Sequence, residues 1–387
     1  MSKRVLMAMS GGIDSTVSAM LLQRQGFELV GVTFRTFDSI KESCLAREKG
    51  CCSVESIMEA KNMAKTLGFE HHILDYREIF KQTVIQNFVS EYMSGRTPNP
   101  CVLCNSHIKW GELIKAADEL GCDFIATGHY AQIDEHRGHL YLKNAVDTKK
   151  DQTYFLWMLT EDNLRRTIFP LGGLTKEEVR RIAAEAGFEK LSKKTESQEI
   201  CFVPDNDYRH FLQEQGCKCE KGVFVDKEGR VLGKNEGYQN YTIGQRKGLG
   251  IALGRPQFVC HIDAENNRVT LGERDDLLTN TVKIKDVKIR DIDWFKQDPT
   301  VKVRIRYRSP ATDANLIFNK EEMSTSNFQP PTSNIPLPIS NPQPPTPNLE
   351  LPTVDCQFSV PVWGATPGQS AVIYKENLLV GGGTIIS

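Results

Sequence analysis

Val5-Leu6-Met7-Ala8-Met9-Ser10-Gly11-Gly12-Ile13-Asp14-Ser15-Thr16 runs an apolar strand into a Gly/Ser turn, and Val17 to Gln25 continues as an amphipathic helix. A strand feeding such a turn into a helix N-terminus makes an anion cradle. Backbone N–H groups converge, the helix dipole favours negative charge, and glycines let a phosphate approach the chain. Ser10, Ser15 and Thr16 add hydroxyl donors, and Asp14 is placed to help hold a divalent cation (Mg²⁺) beside the phosphates. The turn lacks the lysine with which the GxxxxGK(S/T) loop reaches β- and γ-phosphates. It therefore reads as a nucleotide site working at the α-phosphate and releasing pyrophosphate, not as an ordinary strand-to-helix turn.

Outward from that turn, strands and helices alternate. The pattern predicts a strand over 29–34, a helix near 54–67 closed by Gly68, and a strand over 71–74. A helix over 79–93, a Pro-rich turn at 97–100, a helix over 108–120 and a strand over 124–127 follow. This alternation predicts an α/β fold with a doubly wound parallel sheet whose ligands sit at the carboxyl ends of the strands. The Ser10 turn and Thr127-Gly128-His129 both fall at such ends. From 160 to 187 the pattern is helical, and Thr175-Lys176-Glu177-Glu178 resembles a capping box.

Beyond Gly216 the texture changes to short strands and Gly/Asn/Asp turns. The expected organisation is a catalytic α/β domain over 1–205 with a helical extension from about 160. A small β module over 206–278 and a β-barrel-like domain over 279–387 complete it. The stretch 321–352, rich in Pro, Ser, Thr and Asn, has few apolar anchors to offset its ordering entropy and reads as a disordered insertion between two strands.

With 387 residues the chain can bury several cores. It has no signal-peptide pattern and no membrane-length apolar run, so a cytoplasmic protein without a membrane partner is expected. A formal net charge of −1 gives no global sign of nucleic acid, leaving any such partner to local basic patches.

Eleven cysteines in such a chain point to catalysis or metal binding rather than a disulfide framework. Cys122 and Cys260 lie in apolar runs and read as core residues. Cys101 and Cys104 precede the predicted 108–120 helix, where the dipole and open N–H groups lower a thiol pKa. Cys201 follows a polar stretch whose Lys193 and Lys194 also favour a thiolate. Structural zinc lacks a fourth ligand, because Cys217-x-Cys219 and the adjacent Cys51-Cys52 match zinc spacing poorly. An iron–sulfur cluster on Cys101, Cys104 and Cys201 and a thiol–persulfide sulfur transfer both stay open, the second favoured. Softer candidates are His129 at its strand end and Lys150-Asp151-Gln152, which alone would pass as a solvated turn. In 302–308 alternating basic and apolar residues would line one strand face with cations suited to phosphates.

Together these segments resemble the tRNA-specific 2-thiouridylase family. The match rests on Ser10–Ser15, 95–100, Leu103-Cys104-Asn105, 126–130, 150–156, Ile200-Cys201-Phe202, 241–248, 303–308 and 366–371. The resemblance implies an ATP-dependent sulfurtransferase that adenylates the C2 oxygen of the wobble uridine. Sulfur from a cysteine persulfide then replaces that oxygen, giving 2-thiouridine, AMP and pyrophosphate. It assigns ATP to Ala8, Met9, Ser10, Gly11, Gly12, Ile13, Asp14, Ser15, Phe34 and Gly128, with Phe34 standing where relatives often have methionine. Cys104 would be the nucleophile and Cys201 the persulfide carrier, the two ending as a disulfide for an external reductant. Asn99, Pro100 and Cys101 would surround the target base. His129, Lys150, Asp151, Gln152, Arg306, Tyr307 and Gln369 would touch the tRNA. The implied partners are the anticodon region of lysine, glutamate and glutamine tRNAs and a sulfur donor, either a cysteine desulfurase or a sulfur relay. Some relatives carry aspartate in place of Cys101, and a thiol does not take over a carboxylate's acid/base role. The competing class is a pyrophosphate-releasing amidotransferase or synthetase acting on a small molecule. It shares the first loop but needs neither cysteine nor the basic strand.

Overall fold

The computed structural model describes residues 2–37, 54–193, 200–203, 207–252, 254–318 and 349–387, with backbone alone for 54 and 349–352. Its first layer is a parallel sheet ordered His71–Asp75, Glu28–Arg35, Arg4–Ala8, Phe124–Ala126, Thr167–Ile168. Helices cover both faces, so Val5, Leu6 and Met7 are wholly buried and the central strand reads as continuously apolar. Strand order reverses about Arg4–Ala8. The crevice at that switch point opens at the carboxyl ends of Arg4–Ala8 and Phe124–Ala126, which carry the Ser10 turn and Gly128.

Local departures from the sequence reading have physical causes. The helix Ile13–Arg24 is buried on most sides instead of amphipathic, because it lies between the sheet and the helices Val54–Leu67 and Lys176–Glu185. Its polar Ser15, Thr16 and Ser18 are small enough to be enclosed. The helix expected from 108 starts at Pro100, whose fixed φ suits a first helical position, and widens into a π-helical stretch over Cys104–Trp110. The helical region 160–187 is broken by the edge strand Thr167–Ile168, whereas the Thr175–Glu178 capping box forms as read. Cys122 is buried, but Cys260 is only half-buried.

A four-stranded sheet of Gly222–Val225, Val231–Asn235, Phe258–Asp263 and Arg268–Gly272 forms the middle of the molecule. The barrel follows: Leu278–Ile289, Leu349–Trp363, Thr312–Phe318, Thr300–Arg304, Ser370–Lys375 and Leu378–Ile385, closed by pairing of the last strand with the first. A hairpin, Gln132–His136 with His139–Lys143, leaves the parallel-sheet layer and pairs with Leu378–Ile385. The glycines of that strand permit the docking: a Cβ on Gly382 would stand 2.7 Å from the Trp157 ring. Trp157 Nε1 donates to Ser370 Oγ at 3.1 Å, and Arg290 donates to the Leu140 and Leu159 carbonyls.

Of the expected insertion at 321–352, residues 321–348 lie outside the described residues, as do Cys51-Cys52 and Lys194. Its last residues, 349–352, belong instead to the strand Leu349–Trp363, in register with Val287 to Ile289. Among the described residues no helix is long and apolar enough to cross a membrane.

Candidate active site

The nucleotide loop is built mainly from backbone. Gly11 sits at φ +71°, and a Cβ there would lie 2.5 Å from the Ser56 carbonyl, so both conformation and space demand glycine. Gly12 caps Ile13–Arg24 in extended conformation without a side-chain hydrogen bond, leaving the first-turn N–H groups to face the crevice. The Ser15 and Thr16 hydroxyls donate to the Gly12 carbonyl at 3.0 and 3.1 Å, which fixes the turn. Gly128 closes the other wall: a Cβ there would stand 3.0 Å from Ser15 N. Phe34, at the end of the neighbouring strand, stacks edge-on against Tyr76 at 4.9 Å.

Asp14 does not stand open for a cation. Its carboxylate accepts from Lys176 Nζ at 2.7 and 2.9 Å and from the Tyr130 hydroxyl at 2.9 Å. Lys176 is buried at the first position of its helix, where Thr175 and Glu178 cap the N-terminus and Asp147 accepts from the Lys176 N–H at 3.0 Å. Thus a lysine 162 residues away supplies, beside the loop, the positive charge absent from the loop itself. Among the described residues no group of three His, Cys, Asp or Glu is gathered for a metal ion. Asp14 is thus engaged by Lys176 and Tyr130 in this structure, and Cys101, Cys104 and Cys201 are not gathered as a three-ligand set.

The cysteines occupy a second wall. Cys101, in the first turn after Pro100, is open to solvent yet surrounded by protein on most sides, as at the floor of an open cleft. Burial pushes its thiol pKa up while the Lys109 ammonium pulls it down. Desolvation of the thiolate is the larger of the two effects. Cys104, half-buried at the start of the π-helical stretch, packs with Leu103 against a cluster that includes Phe80, Phe88, Phe202 and Phe211. Ile200 packs on the same cluster and Phe202 belongs to it, so both neighbours of the exposed Cys201 are anchored there. Phe34 touches this cluster as well as the sheet core. The described cysteines carry thiols, not disulfides.

The barrel holds the loop that leads into Cys101. Thr97 N–H donates to the Pro367 carbonyl at 2.8 Å, and Gln369 Nε2 donates to the Thr97 and Pro98 carbonyls at 3.1 and 2.8 Å. Tyr154 donates to the Ser370 carbonyl at 2.9 Å and also takes a hydrogen bond with Asn99. Arg306 is not on a basic strand face. The strand ends at Arg304, and Arg306 turns under the barrel rim to donate to Thr366 Oγ1 at 2.6 Å and the Ile243 carbonyl at 3.2 Å, over the Trp363 ring. Lys302 pairs with Asp313 and Arg304 with Asp151, so the expected row of cations is divided among separate partners. Tyr307 lies against Phe155, ring centroids 4.5 Å apart.

A family profile described as a tRNA methyl transferase HUP domain matches residues 3–205, more than half of the chain. A tRNA methyl transferase PRC-barrel domain matches 209–273, and an aminomethyltransferase beta-barrel domain matches 345–385. Relatives spanning the whole chain carry a different activity in their names. A tRNA-specific 2-thiouridylase MnmA of Amoebophilus asiaticus is 44% identical over 389 residues, 99% of this chain and 95% of the relative. Its counterpart in Cytophaga hutchinsonii is 44% identical, covering 99% and 97%, and that of Desulfitobacterium hafniense 41%, covering 100% and 98%. The chain belongs to the tRNA-specific 2-thiouridylase family.

Seen as a 2-thiouridylase site, the candidate tRNA residues divide into two sets. His129 and Gln152 lie by the nucleotide loop. Gln152 Oε1 accepts from the Tyr130 N–H at 2.9 Å. His129 Nδ1 is 2.8 Å from Thr127 Oγ1, with Nε2 3.5 Å from Lys109 Nζ; burial, aided by Lys109, keeps the imidazole neutral. Asp151 is no solvated turn residue: it is buried, accepting from Ala145 N–H, Asn144 and Thr153 at 2.8, 3.1 and 2.6 Å. Lys150 is half-buried, its N–H bonded to Asp147. Arg306, Tyr307 and Gln369 form the barrel-side set. Sequence reasoning missed Lys176; its one signal was a lysine in a first helical turn, where the dipole disfavours a cation.

Proposed function

We propose that this chain is a tRNA 2-thiouridylase using ATP and a Cys201 persulfide. The observation that carries the reading is the shared aromatic cluster: Phe34 of the nucleotide crevice, Cys104 and the Cys201 segment all pack on it. ATP lies with its phosphates on the N–H groups of 11–15, with Lys176 and the loop hydroxyls opposing the charge that develops on them. Asn99, Pro100 and Cys101 receive a uridine taken out of the anticodon stack, as base chemistry requires.

The uracil O2 attacks the α-phosphorus and pyrophosphate leaves, converting a poor leaving group into an adenylate. The terminal sulfur of the Cys201 persulfide attacks C2 and AMP departs with the oxygen. The Cys104 thiolate then attacks Cys201 Sγ, the S–S bond breaks, and its electron pair stays on the transferred sulfur. Uridine ends as the 2-thio base and the enzyme as a Cys104–Cys201 disulfide, which an external dithiol reduces. Exposure of Cys201 suits delivery of the persulfide by a cysteine desulfurase or relay protein. Magnesium would enter with the nucleotide and shield its phosphates.

Cys104→Ser and Cys201→Ser are each expected to abolish thiolation while tRNA affinity stays within about twofold. AMP release must depend on tRNA and persulfide. Thiolation by either variant at the wild-type rate, or AMP release driven by ammonia without tRNA, contradicts the reading.

A further inference from the structure

Residues 245–252 and 254–257 of the central sheet domain are not used by the chemistry above. Gly248, Gly250 and Gly254 all adopt left-handed conformations, at φ +70°, +71° and +71°. A Cβ on Gly250 or Gly254 would meet nothing, so these glycines serve a curled backbone open to solvent and not a close approach by the protein itself. Leu249 is buried in the domain core and staples the curl, and Gln257 is buried at its end. From Arg246 to Gln257 no backbone N–H of a described residue reaches a protein acceptor. Arg246 and Lys247 are exposed and make no ion pair among the described residues. Arg255 is held by Glu273 at 2.6 Å. Arg246, Gly248, Leu249, Gly250 and Arg255 line a cleft of about 570 Å³.

Open N–H donors and uncompensated cations around a concave backbone select an anion with several acceptor oxygens. The stretch 246–256 holds no aromatic ring for base stacking. Its position adds direction. Arg306 donates to the Ile243 carbonyl at the root of the loop, and Gly244 lies against Trp363, so the loop continues the barrel rim that carries Arg306. We propose that the cleft of Arg246, Gly248, Gly250 and Arg255, with the adjacent Lys247, binds the sugar–phosphate backbone of the tRNA body, outside the anticodon arm and independently of base sequence. This rests on the thiouridylase reading and adds to it a second RNA-binding site.

The test compares wild type with R246E/K247E, and with R246Q/K247Q as a milder variant, on two RNAs. One is a full-length unmodified tRNA transcript with a wobble uridine, the other its isolated anticodon stem–loop. Charge reversal is expected to weaken full-length binding by about tenfold or more, and to lower the slope of log affinity against log salt by about 1 to 2. The glutamine variant should fall between, and stem–loop affinity should not change. Equal full-length affinity for wild type and both variants overturns the loop site while leaving thiolation intact. Equal losses on both RNAs also overturn it, because the loop would then act at the anticodon. If wild type binds neither RNA, the thiouridylase reading falls with it.

Discussion

The nucleotide loop and the cysteine wall share the cluster that Phe34 and Cys104 pack on but are constructed in opposite ways. The loop is largely local: residues 9–16 set its shape through two glycines and hydroxyl-to-carbonyl bonds, while Ser56, Gly128, Tyr130 and Lys176 wall it from afar. The cysteine wall is assembled from 97–104, 200–203 and the barrel turn 366–370, joined by shared packing and by the Gln369 hydrogen bonds. A backbone site is vulnerable to a single methyl group within it. A side-chain site is vulnerable to distant residues that dock its parts.

Gly11→Ala strikes the local region hardest. Alanine must adopt φ +71° with its Cβ 2.5 Å from a carbonyl oxygen. AMP formation is expected to fall by about 100-fold or more, the left-handed strain alone costing ~1–2 kcal/mol. Cysteine alkylation rates should stay unchanged, and a parallel loss of Cys104 reactivity would break the division between the regions.

Lys176→Met removes the distant cation that pairs with Asp14 of the loop. Charge-assisted bonds of this kind contribute about 1.5–3 kcal/mol, so AMP formation should drop by roughly 10- to 100-fold. Melting temperature should fall too, because Asp14 loses its ionic partner. An Asp14→Asn/Lys176→Met double variant should recover part of that stability; strictly additive losses would refute the coupling.

Gln369→Ala tests the barrel's hold on the cysteine wall. Losing two part-buried neutral hydrogen bonds at about 0.5–0.7 kcal/mol each, the low end for such bonds, should lower kcat for thiolation by about 5- to 10-fold. The KM for ATP should stay unchanged. A loss confined to tRNA affinity would make Gln369 an RNA contact and not a positioning residue.

The smallest effect lies in the sheet behind the loop. Burial, with His72 and Lys61 adding repulsion, lowers the His71 pKa to about 4, while its Nε2 lies 2.8 Å from Thr33 Oγ1. The unfolded imidazole titrates near 6.5, so its contribution is intact above pH 6.5 and is lost as pH falls toward 4. His71→Gln should flatten the fall of Tm across that window by a degree or more. An unchanged slope would remove His71 as the titrating group.

The same contrast explains what could be read without coordinates. Strand–turn–helix at 5–24 and the Thr175 capping box are short-range patterns whose physics is complete within a few residues, and both formed. The hairpin at 132–143, the burial of Asp151 and the Lys176–Asp14 pair depend on partners a domain away, which no local pattern encodes. The helix start at Pro100 lay between these cases: proline marked it, but the Pro-rich turn hid it. The row of cations at 302–308 failed because alternation holds only while the strand lasts, and it ends at Arg304.

The central claim is that one turnover joins Cys104 to Cys201. Full-length protein loaded with persulfide on Cys201, mixed with ATP and wobble-uridine tRNA, then quenched with an alkylating agent, can be digested without reductant and sequenced by mass spectrometry. The account predicts a Cys104–Cys201 disulfide peptide equal in amount to the 2-thiouridine and AMP formed. Thiouridine formed with both cysteines recovered as separate alkylated peptides would contradict it.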